Sequence, residues 1–135
     1  MIYGGSIFRA WVQSTLPALA ADRSEQSPAE QLDDLWARFC LGDVLVVDRH
    51  FKPLQHIADG VWELKTTDLR IFGWFPQKDH FIAVLADLKR ALVQNRSYGV
   101  YRRAVVAARD ALPLDNPKFI TGTDPNDVVS NFAYA

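Results

Sequence analysis

The sequence predicts an α+β fold with N-terminal helices, a central antiparallel β-sheet built as a meander, and a C-terminal helix. Three observations carry this. A capped amphipathic helix lies in the first third of the chain. The apolar period then changes from helical to strand-like between residues 44 and 85. A second helical period follows and ends at a proline. Helices, then strands, then a helix is the order of an α+β chain rather than of repeated βαβ units.

Taken in order, a first helix is expected over Ile7–Leu16, where Ile7, Phe8, Trp11 and Val12 share a face. Pro17 and the polar Asp22–Ser27 stretch end it. The next helix runs from about Pro28 to Leu41. Ser27 is a good N-cap, Pro28 suits the first position, and Glu30 completes a capping box. Leu32, Leu35, Trp36 and Phe39 form its apolar stripe, and Gly42 is placed to stop it. Val44–Val47 is a short strand-like run. Val61–Lys65, Leu69–Phe75 and Phe81–Leu85 read as three strands. Thr66-Thr67-Asp68 and Pro76-Gln77-Lys78-Asp79 are the turns between them, short enough to require antiparallel neighbours. The last helix spans Tyr98–Leu112, with Ser97 as cap, Tyr101, Val105, Ala108 and Leu112 as its apolar face, and Pro113 as its stop. Residues 1–115 thus form one domain. Residues 116–135, rich in Pro, Gly, Asn and Asp, are expected to be an irregular tail.

Composition bounds the function. At 135 residues, 49% apolar and 23% charged, the chain has the size and balance of one globular domain and not of a disordered segment. No apolar run approaches the roughly 20 residues of a membrane span. The first residues lack the order of an export leader, so a cytoplasmic location is expected. The lone Cys40 permits no internal disulfide and is expected to pack as a small hydrophobe. The net charge of −1 conceals an asymmetry. Residues 1–48 carry three basic and seven acidic side chains, and residues 110–135 one and four. Residues 49–109 carry eleven basic and five acidic ones, a net +6. That centre either faces phosphates or is a set of scattered solvated cations.

Within this basic centre, several stretches occur in a telling order. Phe51-Lys52-Pro53-Leu54 leads into Gly60-Val61-Trp62-Glu63-Leu64-Lys65. Leu69-Arg70-Ile71-Phe72 follows, then Phe81-Ile82-Ala83-Val84-Leu85 with Lys89-Arg90, and finally Val100-Tyr101-Arg102-Arg103-Ala104 with Arg109. Over about sixty residues this resembles the RelE/ParE toxin superfamily, nearest its HigB-like, phage-derived branch. The resemblance implies a RelE-like α+β fold, with a central antiparallel sheet and helices packed on it. It implies cleavage of messenger RNA, usually on the ribosome, and neutralisation by a cognate antitoxin. It also implies alternatives on the same fold: a ParE-like toxin that binds a topoisomerase, or a phage-derived interaction protein without chemistry.

Cleavage of RNA without a metal needs a base for the 2′-hydroxyl, an acid for the leaving oxygen, and cations around the phosphate. Arg70 is the first candidate, as a bidentate phosphate clamp, with a structural ion pair to Glu63 as its alternative. Arg90 is a second clamp. Lys65 supplies charge or a proton, and Tyr101 orients a base, stacks or donates, with Tyr98 as its competitor. Lys52, Lys89, Arg102 and Arg103 are candidates for RNA binding. His50 or His56 is a possible general base, since imidazole titrates near neutral pH. The spacing of His50, His56 and His80 offers no tight metal set, and neither metal nor cofactor is expected. Phe119, Ile120, Phe132 and Tyr134 in the tail either form a docking segment or fold back on the domain.

Overall fold

Ser27 opens the best-specified element of the chain. Its hydroxyl accepts from the Glu30 N–H, and the Glu30 carboxylate accepts from the Ser27 N–H, both at 3.2 Å. This closes the expected capping box at the start of helix α2 (Pro28–Cys40). The helix ends at Gly42, whose φ of +72° suits glycine alone. Gly42 N–H donates to Phe39 O and Asp43 N–H to Arg38 O, a Schellman closure. The computed structural model describes residues 1–22, 24–54, 59–96, 98–114 and 118–134. Ser97 and His56 lie outside them.

The other elements are β1 (Ile2–Gly4), α1 (Ser6–Ser14), a 3-10 turn (Leu16–Ala18), β2 (Leu45–Val46), β3 (Phe51–Pro53), β4 (Val61–Lys65), β5 (Leu69–Gln77), β6 (His80–Leu88), α3 (Lys89–Asn95), α4 (Tyr98–Ala111), α5 (Pro125–Val128) and β7 (Phe132–Ala133). The main sheet has the order β1-β6-β5-β4-β3. Strands β4 to β6 pair as antiparallel neighbours, and β3, a strand the sequence pattern did not mark, pairs antiparallel with β4. The sheet as a whole is mixed, which corrects the all-antiparallel expectation, because β1 lies parallel to β6. Three residues carry no alternation for a sequence pattern to find. After β1 the chain makes both N-terminal helices before it returns to the sheet, so β1 and β6 meet only in the folded chain.

Strict alternation divides the sheet into two faces. Phe51, Trp62, Leu64, Leu69, Ile71, Phe75 and Phe81 point to one side and pack with Phe8, Leu32, Leu35 and Phe39 of α1 and α2. Val61, Phe72, Trp74 and Val84 point to the other and pack with Leu92 of α3 and Val105 of α4. In β6 a bulge separates Leu85, opposite Phe72, from Ala83, opposite Gly73. Beyond it, Gly73 lies against the Ile82 carbonyl with no room for a Cβ. Ile7 is exposed rather than on the buried face of α1, where Phe8 alone is buried. Cys40 is also exposed, because it stands one residue past Phe39, off the Leu32–Leu35–Phe39 stripe.

The C-terminal segment folds back, and it holds more regular structure than its composition suggests. Ile120 N–H donates to Phe75 O at 2.9 Å, and Val128 and Val129 are core residues. Asp124 caps α5 through its side chain. Then β7 pairs with β2 in parallel, and Asp79 binds both the N–H and the hydroxyl of Ser130. Among the described residues, no helix is long and apolar enough to cross a membrane.

Candidate active site

The register places three rows of side chains on the sheet face turned to α4. The innermost, Val61–Trp74–Ile82, is apolar. Next comes Lys52–Glu63–Phe72–Leu85. The last, at the end of the sheet, is Lys65–Arg70–Asp87. Tyr98 and Tyr101, in the first turn of α4, close over these rows with their rings edge-on to Phe72, at 5.6 Å and 5.4 Å. Three of the four expected catalytic residues, Lys65, Arg70 and Tyr101, therefore share one face, together with Lys52.

Glu63 is the unusual member. Its carboxylate is wholly buried, and neither oxygen has a hydrogen-bond partner among the described residues. Lys52 Nζ lies 3.5 Å from Oε1, an ion pair too long to be a good hydrogen bond. Burial raises the Glu63 pKa above the usual carboxylate value, against the opposing pull of Lys52, Arg70 and Lys65. The indole N–H groups of Trp62 and Trp74 are also unpartnered, but a neutral donor costs much less to bury than a charge.

Arg70 is buried but does not form the expected ion pair with Glu63. The same nitrogen donates to Thr66 O at 2.6 Å and Leu69 O at 2.7 Å, so the guanidinium ties down the β4–β5 turn. It still acts electrostatically on Glu63 and on Tyr98. Burial, and then the Glu63 charge, raise the Tyr98 hydroxyl pKa, while Arg70 opposes the rise. Lys65 donates to Asp48 O at 2.6 Å. Burial lowers the Lys65 pKa, with Arg70 and Lys52 adding to the effect. The Tyr101 hydroxyl donates to Asp87 Oδ2 at 2.8 Å. Burial first, and then that carboxylate, push its pKa up to about 12, so Tyr101 remains a protonated donor.

The remaining candidates lie elsewhere. Lys89 and Arg90 begin α3, where a strand exit was expected, and line a separate hollow with Asp22 and Thr67. Arg102 pairs with Asp59 at 2.9 Å. Arg103 is exposed on α4. Arg109 is buried, bonds to Asp59 O and lies 3.5 Å above the Phe119 ring. These contacts fasten α4 and the returning tail.

His50 is not a general base in this arrangement. Its Nδ1 accepts from Val46 N–H at 2.8 Å, so the neutral ring carries its proton on Nε2. Burial lowers its pKa, and nearby Arg38 and Arg49 lower it further. It therefore presents a donor. His80 stacks on Tyr3 at the opposite end of β6.

Sequence reasoning did not single out Glu63 and Asp87 as site residues. The available signal was a charge at alternate positions of two apolar strands, each on the same face as Arg70. Comparison of this chain with protein-family models, with curated proteins and with solved structures finds no match.

Proposed function

We propose that this chain is an RNA-cleaving toxin, neutralised by a cognate antitoxin, whose site is the Glu63–Lys65–Arg70 end of the sheet. The observation that carries the reading is Glu63. A buried carboxyl with a raised pKa, without a good hydrogen bond among the described residues and with only a long ion pair to Lys52, is costly to maintain for structure alone. A carboxyl with a raised pKa is a stronger base than an ordinary one. On this reading an RNA phosphate draws Lys52 away from Glu63. Glu63 removes the 2′-hydroxyl proton, the 2′-oxygen bonds to phosphorus, and the bond to the 5′-oxygen breaks. Lys65, made more acidic by burial, protonates that leaving oxygen. Arg70 and Lys52 stabilise the charge that builds on the phosphate. The products are a 2′,3′-cyclic phosphate and a 5′-hydroxyl. The sequence resemblance and the +6 centre support RNA as substrate and the ribosome as the place of encounter.

The test is tightly controlled expression of wild type and Glu63→Gln in a bacterial host, followed by primer extension on cellular mRNA. Wild type is expected to stop growth and create discrete new ends, while the folded, soluble variant does neither. Equal toxicity of the variant removes Glu63 from the chemistry. A soluble wild type that leaves growth and mRNA untouched overturns the cleavage reading.

One observation favours a second reading. Arg70, Lys65 and Tyr101 are already hydrogen-bonded inside the chain. A relative that binds a protein such as a topoisomerase needs none of them free. Growth arrest with DNA damage and intact mRNA identifies that case.

A further inference from the structure

The turn between β2 and β3 is strained. Asp48 has φ +67°, a left-handed conformation that a non-glycine residue adopts at a cost. Arg49 and His50 follow Asp48 in the turn. The Asp48 carbonyl accepts from Lys65 Nζ. Across from this turn, Arg38 on the last turn of α2 donates to Val44 O. Between them runs a groove of about 630 Å³ at the end of the sheet, which Arg38, Arg49, His50, Lys65, Thr67 and Arg70 help to line. That volume lies within the roughly 300–1,000 Å³ range of small-molecule sites.

The cations here bond to backbone carbonyls or to none of the described residues. Among the described residues, neither Arg38 nor Arg49 forms an ion pair with a carboxylate. The bond from Val46 N–H to His50 Nδ1 obliges His50 to offer Nε2–H. Two guanidiniums and an imidazole N–H lining one groove, Arg38 from α2 and Arg49 and His50 from the turn, make a phosphate-recognising set. The groove also carries Asp43 and Asp48, both exposed. Carboxylates repel a bare phosphate but accept from ribose hydroxyls. Asp34, a third acid, is already held by Gln26 Nε2 at 2.7 Å.

We infer that this groove is a ribonucleotide subsite, with Arg38, Arg49 and His50 Nε2–H on the phosphate and Asp43 and Asp48 facing the ribose hydroxyls. The inference rests on the RNA-cleaving reading for its ligand class. Lys65 and Arg70 line both places, so a nucleotide seated here lies beside the bond to be cut. Arg38 and Arg49 act by holding the substrate and take no part in the chemistry.

The experiment is an NMR titration of the full chain with adenosine 5′-monophosphate, its 2′-deoxy analogue and inorganic phosphate, following the His50 imidazole resonances. His50 is expected to shift with the ribonucleotide and to require higher concentrations of the other two. Arg49→Gln and Arg38→Gln each weaken the ribonucleotide by roughly tenfold, as expected for one charge-assisted hydrogen bond. Arg49→Lys retains part of the affinity. An unmoved His50, or wild-type affinity in both glutamine variants, overturns the inference. So does binding of inorganic phosphate as tight as that of the ribonucleotide. The two readings separate cleanly. Ribonucleotide binding at His50 in a chain that spares cellular mRNA refutes cleavage and keeps the subsite. Discrete mRNA cleavage with His50 unmoved refutes the subsite and keeps cleavage.

Discussion

The two faces of the sheet are built from the same strands and differ in what they tolerate. The strand residues on the face toward α1 and α2 are apolar, and polar Gln31 of α2 enters only at its end, where it bonds Asp68 and the β4–β5 turn. The face toward α4 is apolar only in its inner row and becomes charged toward the end of the sheet, through Glu63, Lys65, Arg70 and Asp87. Charge at the core is expensive, so a protein selected for stability alone would repeat the first face on the second. The contrast teaches that one face holds the fold together while the other gives up stability for polar groups held in place.

Breaking each face in turn tests that division. The largest effect is expected for Trp62→Ala, which empties the apolar face beneath Phe51 and Phe75. Its cost should be about 3–5 kcal/mol in urea unfolding. A much smaller loss would mean that α1 and α2 collapse onto the gap. Arg70→Ala should cost about 1.5–3 kcal/mol, the range for hydrogen bonds to a charged group, because two turn carbonyls lose their donor. If stability is unchanged, Arg70 does not hold the turn.

Glu63→Gln carries the opposite sign. The fold holds the Glu63 proton more tightly than the unfolded chain does. Wild-type stability therefore falls as pH rises from the ordinary carboxylate range to the folded pKa, and stays lowered above it. The variant should be more stable than wild type by about 1–3 kcal/mol at alkaline pH and nearly equal at acid pH. Thermal melts across pH read this directly. A variant that is less stable at every pH would show that the carboxylate is well paired. Tyr101→Phe should cost about 0.5–1.5 kcal/mol, the net value of its bond to Asp87.

The smallest effect belongs to His50. Its folded pKa lies below the ordinary 6.5. The unfolded chain takes up this proton first as pH falls, so the stability is present above 6.5 and is lost on acidification toward the folded value. His50→Asn should flatten that limb while leaving the opposite-signed dependence from Glu63 in place. A limb that persists in the variant must have another origin.

Much of this architecture was legible because it follows from local rules. The capping box of α2, the Gly42 stop, the extent of β4 and the start of α4 each rest on spacings within one element. The shared face of Lys65 and Arg70 was within reach of alternation plus a three-residue turn. The parallel β1, helix α3 and the return of the tail were not. Each is short and owes its conformation to a distant partner: Phe81 for β1, β2 for β7, and the packing of Leu92 for α3. The site was half legible. Arg70 stands out as a cation in an apolar strand, but nothing local says that its guanidinium turns to Thr66 and Leu69, leaving Glu63 to Lys52.

By itself, then, the sequence determined the α+β class, the antiparallel pairing of strands joined by short turns, and the alternation along each strand. These follow from periodicity and turn chemistry over a few residues. Only the tertiary structure decided that β1 completes a mixed sheet, that Glu63 is buried beside Lys52, and that Arg38 meets Arg49 and His50 across one groove. Those outcomes depend on contacts between residues far apart in the chain. Burial, which raises the pKa of Glu63 and lowers those of Lys65 and His50, comes into being only when those contacts close.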